Sequence, residues 1–257
     1  MGRPGAGTSS LGLVRGTAWG AVGHKTIECV EFHVELGRRL AVRLVPSTFK
    51  ESLVQPSEQA EAVYGDAYQT INRYVDILGT RGIEWGLMGP REKDRLWDRH
   101  ILNSAALADL IPEGSTVVDV GSGAGLPGIP LAILRPDLEI TLLEPLLRRF
   151  TFLGETVDDL GLAKRVTVQR GRAEDCDQVF DVVTCRAVAN VSKLLGWCTP
   201  LFYPNGKLVA LKGESVDQEI IDASRRLEKS RMEAAVLTVR AHPEAEVTKA
   251  LVITPVR

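Results

Sequence analysis

The chain has 257 residues, too many for one minimal domain and too few for three, and its 44% apolar content can fill one sizeable core. With 31 Lys and Arg against 33 Asp and Glu the net charge is -2, which excludes a protein that coats nucleic acid through bulk positive charge. No apolar run reaches the roughly 20 residues of a membrane-spanning helix, and 25% charged residues is the composition of a folded chain, not of a collagenous or disordered one.

The first fifty residues are punctuated by glycine, hold seven Lys and Arg against three Glu, and precede the first aspartate, Asp66. Glycines and Arg15 interrupt the stretch from Leu11 to Gly23, so it does not make a signal-peptide core. Residues 1–52 are read as a disordered or non-family extension, residues 53–113 as a helical subdomain and residues 114–257 as the domain that carries the chemistry.

Order is expected from Ser57, a good helix N-cap. Ala60, Val63/Tyr64, Ala67/Tyr68, Ile71, Tyr74/Val75 and Leu78 recur at three-to-four spacing, and Gly79 and Gly82 are expected to stop that helix. Pro90 suits the first turn of a second helix, whose stripe is Leu96, Trp97, His100, Ile101, Ala105, Ala108 and Ile111. His100 on that stripe reads first as a satisfied core histidine, and second, with Arg99, as part of the edge of a ligand site.

Short β-rich runs then alternate with helical ones. Strands are expected at 116–119, 140–143, 166–169, 180–184 and 207–211, and helices at 127–134, 146–160, 190–201 and 216–229. This rhythm specifies right-handed crossovers and a parallel sheet with helices on both faces. The last two strands, at 234–240 and 250–255, are joined by a short polar turn and must be antiparallel neighbours. The fold class is α/β, a Rossmann-like sheet of seven mostly parallel strands with an antiparallel C-terminal hairpin.

Between the first strand and its helix lies Asp119-Val120-Gly121-Ser122-Gly123-Ala124-Gly125-Leu126-Pro127-Gly128. Glycines let a ligand press against the main chain where side chains would collide. Glu144 ends the second strand 23 residues after Gly121, where its carboxylate can accept both hydroxyls of a ribose. Two cofactors fit. Gly123, Gly125 and Gly128 match the dinucleotide fingerprint, and Asp119 with Gly121, Gly123 and Gly125 matches the loop of S-adenosylmethionine (SAM) enzymes. Asp119 in the strand, Pro127 in the turn and the closing hairpin favour SAM.

The run from Asp119 to Ala132, Arg135-Pro136-Asp137, Leu143-Glu144 and Arg148-Arg149 resembles the RsmG (GidB) family, in particular its actinobacterial members. So do Arg99-His100-Ile101-Leu102, Arg172-Ala173-Glu174, Cys185-Arg186-Ala187 and Ala210-Leu211-Lys212-Gly213. The resemblance implies a class I SAM-dependent methyltransferase acting on N7 of guanine 527 in the 530 loop of 16S rRNA. Its partner would be that rRNA, in the small subunit or an assembly intermediate. It also implies that Gly121, Leu126, Ala173, Glu174 and Arg186 contact SAM or line its pocket. Cys185, Asn103 and Gly86-Leu87-Met88 depart from the family's usual Ser, Asp and Asn-Leu-Thr.

The chemistry agrees with that implication. Guanine N7 offers an in-plane lone pair and no proton, so attack on a sulfonium methyl needs alignment and desolvation, not a general base. The Asn/Asp-Pro-Pro-Tyr/Phe tetrapeptide of exocyclic-amine methylation is absent after the fourth strand. Cys185 could serve a cytosine-C5 mechanism as nucleophile, but reads better as a small buried side chain. A NAD(P)-dependent oxidoreductase and a non-catalytic SAM- or RNA-binding module are the rival functions. Arg186 is taken as the catalytic residue, near the methionine or the target base, and Lys212 as a phosphate contact or a solvated lysine. Arg148, Arg149, Lys164, Arg165, Arg170 and Arg172 are expected to bracket the pocket rim. Cys29, Cys176, Cys185 and Cys198 show no paired spacing, so reduced thiols, no metal and a cytoplasmic location are expected. A monomer without membrane contact completes the expectation.

Overall fold

The computed structural model describes residues 57–256. The expectation for residues 1–52, and Cys29 with it, lies outside the described residues. The sheet has seven strands: β1 Thr116–Val120, β2 Glu139–Leu143, β3 Val166–Gln169, β4 Val182–Arg186, β5 Lys207–Lys212, β6 Met232–Val239 and β7 Thr248–Pro255. Their order is β3-β2-β1-β4-β5-β7-β6. Every pair from β3 to β5 is parallel, while β7 runs antiparallel to both β5 and β6. The strand order reverses between β1 and β4, the place where ligands meet open α/β sheets. β1, β2, β4 and β5 read as near-continuous aliphatic runs because both faces of the sheet are covered.

Two helical layers do the covering. The N-terminal segment holds α1 Glu58–Tyr64, α2 Tyr68–Ile77 and the short α3 Asn103–Ala105; α4 Gly128–Leu134, α5 Leu147–Asp159, α6 Val191–Phe202 and α7 Val216–Lys229 follow. One buried cluster joins Ala60, Tyr74, Ile101, Ile129, Leu142 and Phe152, so the N-terminal helices share a core with α4, α5 and the sheet. The second cluster joins α6 and α7 to the opposite face through Val183, Leu195, Ala210 and Leu227. Arg135 ties the segment to the sheet domain by donating to the Ala108 and Ile111 carbonyls at 2.7 and 3.0 Å while pairing with Asp137. Among the described residues no helix is long and apolar enough to cross a membrane.

The N-terminal helices depart from expectation. Ser57 does cap α1, its hydroxyl accepting the Ala60 N–H at 3.2 Å. Gly65, at φ +49°, then separates α1 from α2. Gly79 and Gly82 do not stop α2: the chain continues through a π-type turn, Leu78–Gly82. Gly82 sits where a Cβ would lie 3.4 Å from Met88, and both glycines are buried packing positions. The segment begun by Pro90 is a composite, a 3₁₀ turn Pro90–Arg95, a π-type stretch Leu96–Leu102, α3 and a 3₁₀ turn Ala108–Leu110. The apolar stripe holds through all of it because burial, not the hydrogen-bond ladder, selects it.

Strand β4 begins two residues later than expected. Asp181 leaves the ladder and accepts the Thr116 N–H and hydroxyl at 2.8 and 2.7 Å, which pins the start of β1. The strand ends at Arg186.

Candidate active site

Three glycines with left-handed φ, Gly121 (+69°), Gly123 (+59°) and Gly125 (+101°), carry the chain from β1 to α4. The turn is held from several sides. The Leu143 carbonyl accepts from Gly121 and Ser122 at 2.8 and 3.3 Å. Tyr74, fully buried on α2, donates its phenol to the Ala124 carbonyl at 2.8 Å. Val188 closes over Gly121, where a Cβ would come within 3.2 Å of it. Ala187 reaches φ +54° to turn the chain there directly after Arg186, the kind of strained position that clusters at functional sites.

Two buried carboxylates surround this turn. Glu144 is 1% exposed and accepts the Gly123 and Leu146 N–H groups, both at 3.0 Å, with Arg149 at 4.0 Å. Asp119 is fully buried. Its Oδ2 accepts the Gly128 N–H at 3.1 Å, while its Oδ1 has no partner. Burial, opposed by the hydrogen bond from Gly128, raises the Asp119 pKa to about 7.

This arrangement discriminates between the two cofactors. A dinucleotide places its pyrophosphate on the first N–H groups of the helix after the glycines. Here the first N–H of α4 is taken by Asp119, and two acids crowd the spot. A ligand carrying a sulfonium and an ammonium suits such a pole, and the orphaned Asp119 Oδ1 lacks only a cationic donor. The residues fit SAM, not NAD(P).

Beside the turn, at the C-terminal ends of β4 and β5, lies a cavity of about 410 Å³, within the usual range of a small-molecule site. Its lining includes Glu92, Arg99, His100, Asn103, Arg186 and Lys212. Arg186 is half-buried; its Nη1 donates to the Arg99 carbonyl at 3.2 Å and its Nη2 to His100 Nδ1. His100 Nε2 lies 2.8 Å from Glu92 Oε2. Burial first, then the Arg186 charge, pushes the His100 pKa down to about 4. Loss of water around it lowers the Arg186 pKa as well.

The remaining expected residues fall at the same end of the sheet. Leu126 is buried at the end of the turn, and Ala173 (buried) and Glu174 (exposed) form a 3₁₀ turn after β3. Cys185 lies inside β4, 2% exposed, its thiol pKa pushed up by burial, which removes it as a nucleophile. Lys212 is neither solvated nor free for phosphate: it donates to Glu219 at 2.6 Å and to the Ala189 carbonyl at 2.9 Å. The basic rim is only partly as expected. Arg148, Arg149, Arg170 and Arg172 stand near the site, with Arg148 over the Trp85 ring at 5.9 Å. Lys164 and Arg165 precede β3 and therefore lie at the opposite end of the parallel sheet. Sequence reasoning placed Tyr74 only on the apolar stripe of its helix, without its bond to the turn, and missed Glu92 and Val188. The eight-residue Glu92-to-His100 spacing gives no α-helical signal, and only the 3₁₀-to-π change brings that pair together.

Comparison with known proteins closes the identification. The family model described as GidB, rRNA small subunit methyltransferase G, matches residues 67–248. Ribosomal RNA small subunit methyltransferase G of Kineococcus radiotolerans is 50% identical over 202 residues, covering 77% of this chain and 80% of that protein. Its namesake in Mycolicibacterium paratuberculosis is 55% identical over 175 residues, covering 66% and 69%. That of Mycobacterium sp. strain JLS is 47% identical over 211 residues, covering 79% and 93%. The glycine turn flanked by buried acids, at the switch point of this sheet, and the match to these relatives agree: the chain belongs to the GidB family, rRNA small subunit methyltransferase G, and is a SAM-dependent methyltransferase.

Proposed function

We propose that the chain methylates N7 of guanine 527 in the 530 loop of 16S rRNA, as part of the small subunit or of its assembly intermediate, in the cytoplasm. SAM supplies an electrophilic methyl on a sulfonium: the N7–CH₃ bond forms as the C–S bond breaks, sulfur keeps the electron pair, and N7 takes the positive charge. Gly121, Gly123 and Gly125 let the donor lie against the main chain, and Leu126 packs beside it. Glu144 holds the ribose hydroxyls, Ala173 and Glu174 meet the adenine, and Asp119 attracts the ammonium. Arg186, at the edge between turn and cavity, touches the target base.

One observation carries this reading. Each ionisable side chain that lines the acceptor cavity is already engaged: Glu92 with Arg99 and His100, Arg186 with His100, Lys212 with Glu219. The bare nitrogen of His100 is capped by an arginine, so the imidazole is not offered as a base. Such a site suits a nucleophile that brings a lone pair and sheds no proton, as guanine N7 does. Exocyclic amines and hydroxyls would need help to lose theirs. Transfer of labelled methyl from SAM to small subunits lacking the modification, with mapping of the modified atom, tests the proposal. Label on another atom or in another RNA refutes it.

A further inference from the structure

We propose that Glu92 and His100 form a clamp that aims the Arg186 guanidinium at the O6 carbonyl of the target purine, so that guanine is accepted and adenine refused. This rests on the reading of the 410 Å³ cavity as the acceptor site. An arginine has only donors, so the His100 Nδ1 that receives Arg186 must be unprotonated. The ring proton is therefore on Nε2, which donates to Glu92 Oε2 at 2.8 Å. Glu92 is held in turn by Arg99 at 3.1 Å, and the Arg99 carbonyl takes a second Arg186 N–H. The guanidinium is thus fixed at two points from the π-type stretch Leu96–Leu102, a geometry that recurs at functional sites.

Two of the five guanidinium N–H groups are committed to the protein, and the side chain lines the cavity. On guanine, O6 adjoins N7 and accepts; on adenine the same place carries an amine that can only donate. An aimed arginine therefore grips O6, leaves the N7 lone pair for the methyl carbon, and opposes adenine donor to donor. The clamp requires a neutral imidazole. The charges facing His100 are Glu92 on the 3₁₀ turn, Arg99 on its own stretch and Arg186 on β4. With its pKa lowered to about 4, the ring is neutral at neutral pH.

His100 and Glu92 are positioning residues, and the test separates them from mere support. In the full chain, His100→Ala should lower kcat at least about tenfold while the SAM Kd from calorimetry stays within about twofold. His100→Asn, whose Oδ1 can replace Nδ1, should recover most of that loss. Arg186→Ala should abolish the His100 effect, the double variant matching the single one within about twofold, because residues acting through one another are not additive. Small subunits reconstituted with 2-aminopurine at the target, which keeps N7 and lacks O6, should be methylated at least about tenfold more slowly by the unaltered enzyme and no more slowly than guanine by Arg186→Ala. Unchanged kcat in His100→Ala, additive effects, or equal 2-aminopurine losses with and without Arg186 would overturn the clamp. Circular dichroism melts confirm that each variant folds. Should the unaltered enzyme methylate an atom other than guanine N7, the proposed function falls, while the His100–Arg186 cycle still reads the clamp on the product formed.

Discussion

Replacing Asp119 by Asn should stabilise the protein at neutral and alkaline pH while weakening its hold on SAM. The carboxyl is fully buried, Oδ1 has no partner, and its pKa rises from an ordinary 3.8 to about 7. A rise of that size is equivalent to about 4 kcal/mol. The sign follows from proton binding: between pH 3.8 and about 7 the folded state keeps a proton that the unfolded chain has lost. Stability from this group is therefore whole below about pH 4 and falls by up to about 1.4 kcal/mol per pH unit until about pH 7. An amide keeps an oxygen for the Gly128 N–H and has no charge to bury. Asp119→Asn should match the parent near pH 4 and exceed it by up to about 4 kcal/mol at about pH 8. Other acids with lowered pKa, such as Asp181 and Glu219, slope the other way in both proteins and cancel in the difference. Urea unfolding by circular dichroism between about pH 5 and 8 measures this difference. A gap between the two proteins that does not change with pH, or a variant weaker than its parent at the alkaline end, would mean that burying the Asp119 charge costs the fold nothing.

Glu144→Ala should weaken SAM binding several-fold, about 1 kcal/mol or more, and unchanged affinity by calorimetry would remove its ribose role. Gly128→Ala drives a methyl into Leu142 and to 2.8 Å from Asp119 Oδ2; a loss of about 1–3 kcal/mol is expected from denaturant midpoints, and none would mean that α4 can retreat. Cys185→Ser should retain methyl transfer, since the thiol is buried inside β4; abolished transfer in a folded variant would revive covalent catalysis.

The sheet was legible because its signals are local and redundant. Runs rich in valine, leucine and isoleucine and bounded by turns locate β1, β2 and β5, and the change of rhythm after residue 211 announces the hairpin. The turn was legible for the same reason, with three glycines and an acid in one short run. The helical segment was not. An apolar stripe at three-to-four spacing states which side faces the core but is silent on whether the backbone closes rings of ten, thirteen or sixteen atoms. The positions of Glu92 and His100 depend on that choice. Arg186 shows a middle case. Its family motif marked it, but its two partners, the Arg99 carbonyl and His100, come from the helical segment that was not legible. Lys212 looked available because its partner, Glu219, is on the next helix, across a turn with no sequence signature.

The phenol of Tyr74 has an implication for protein engineering. Because a helix far upstream holds a carbonyl of the glycine turn, the segment beginning at Glu58 acts as scaffolding for that turn. A chimera that grafts another relative's helices onto this sheet would have to bring a hydroxyl to the same point, or accept a looser grip on the methyl donor. Altering those helices would therefore also alter the loop that the methyl donor is proposed to meet.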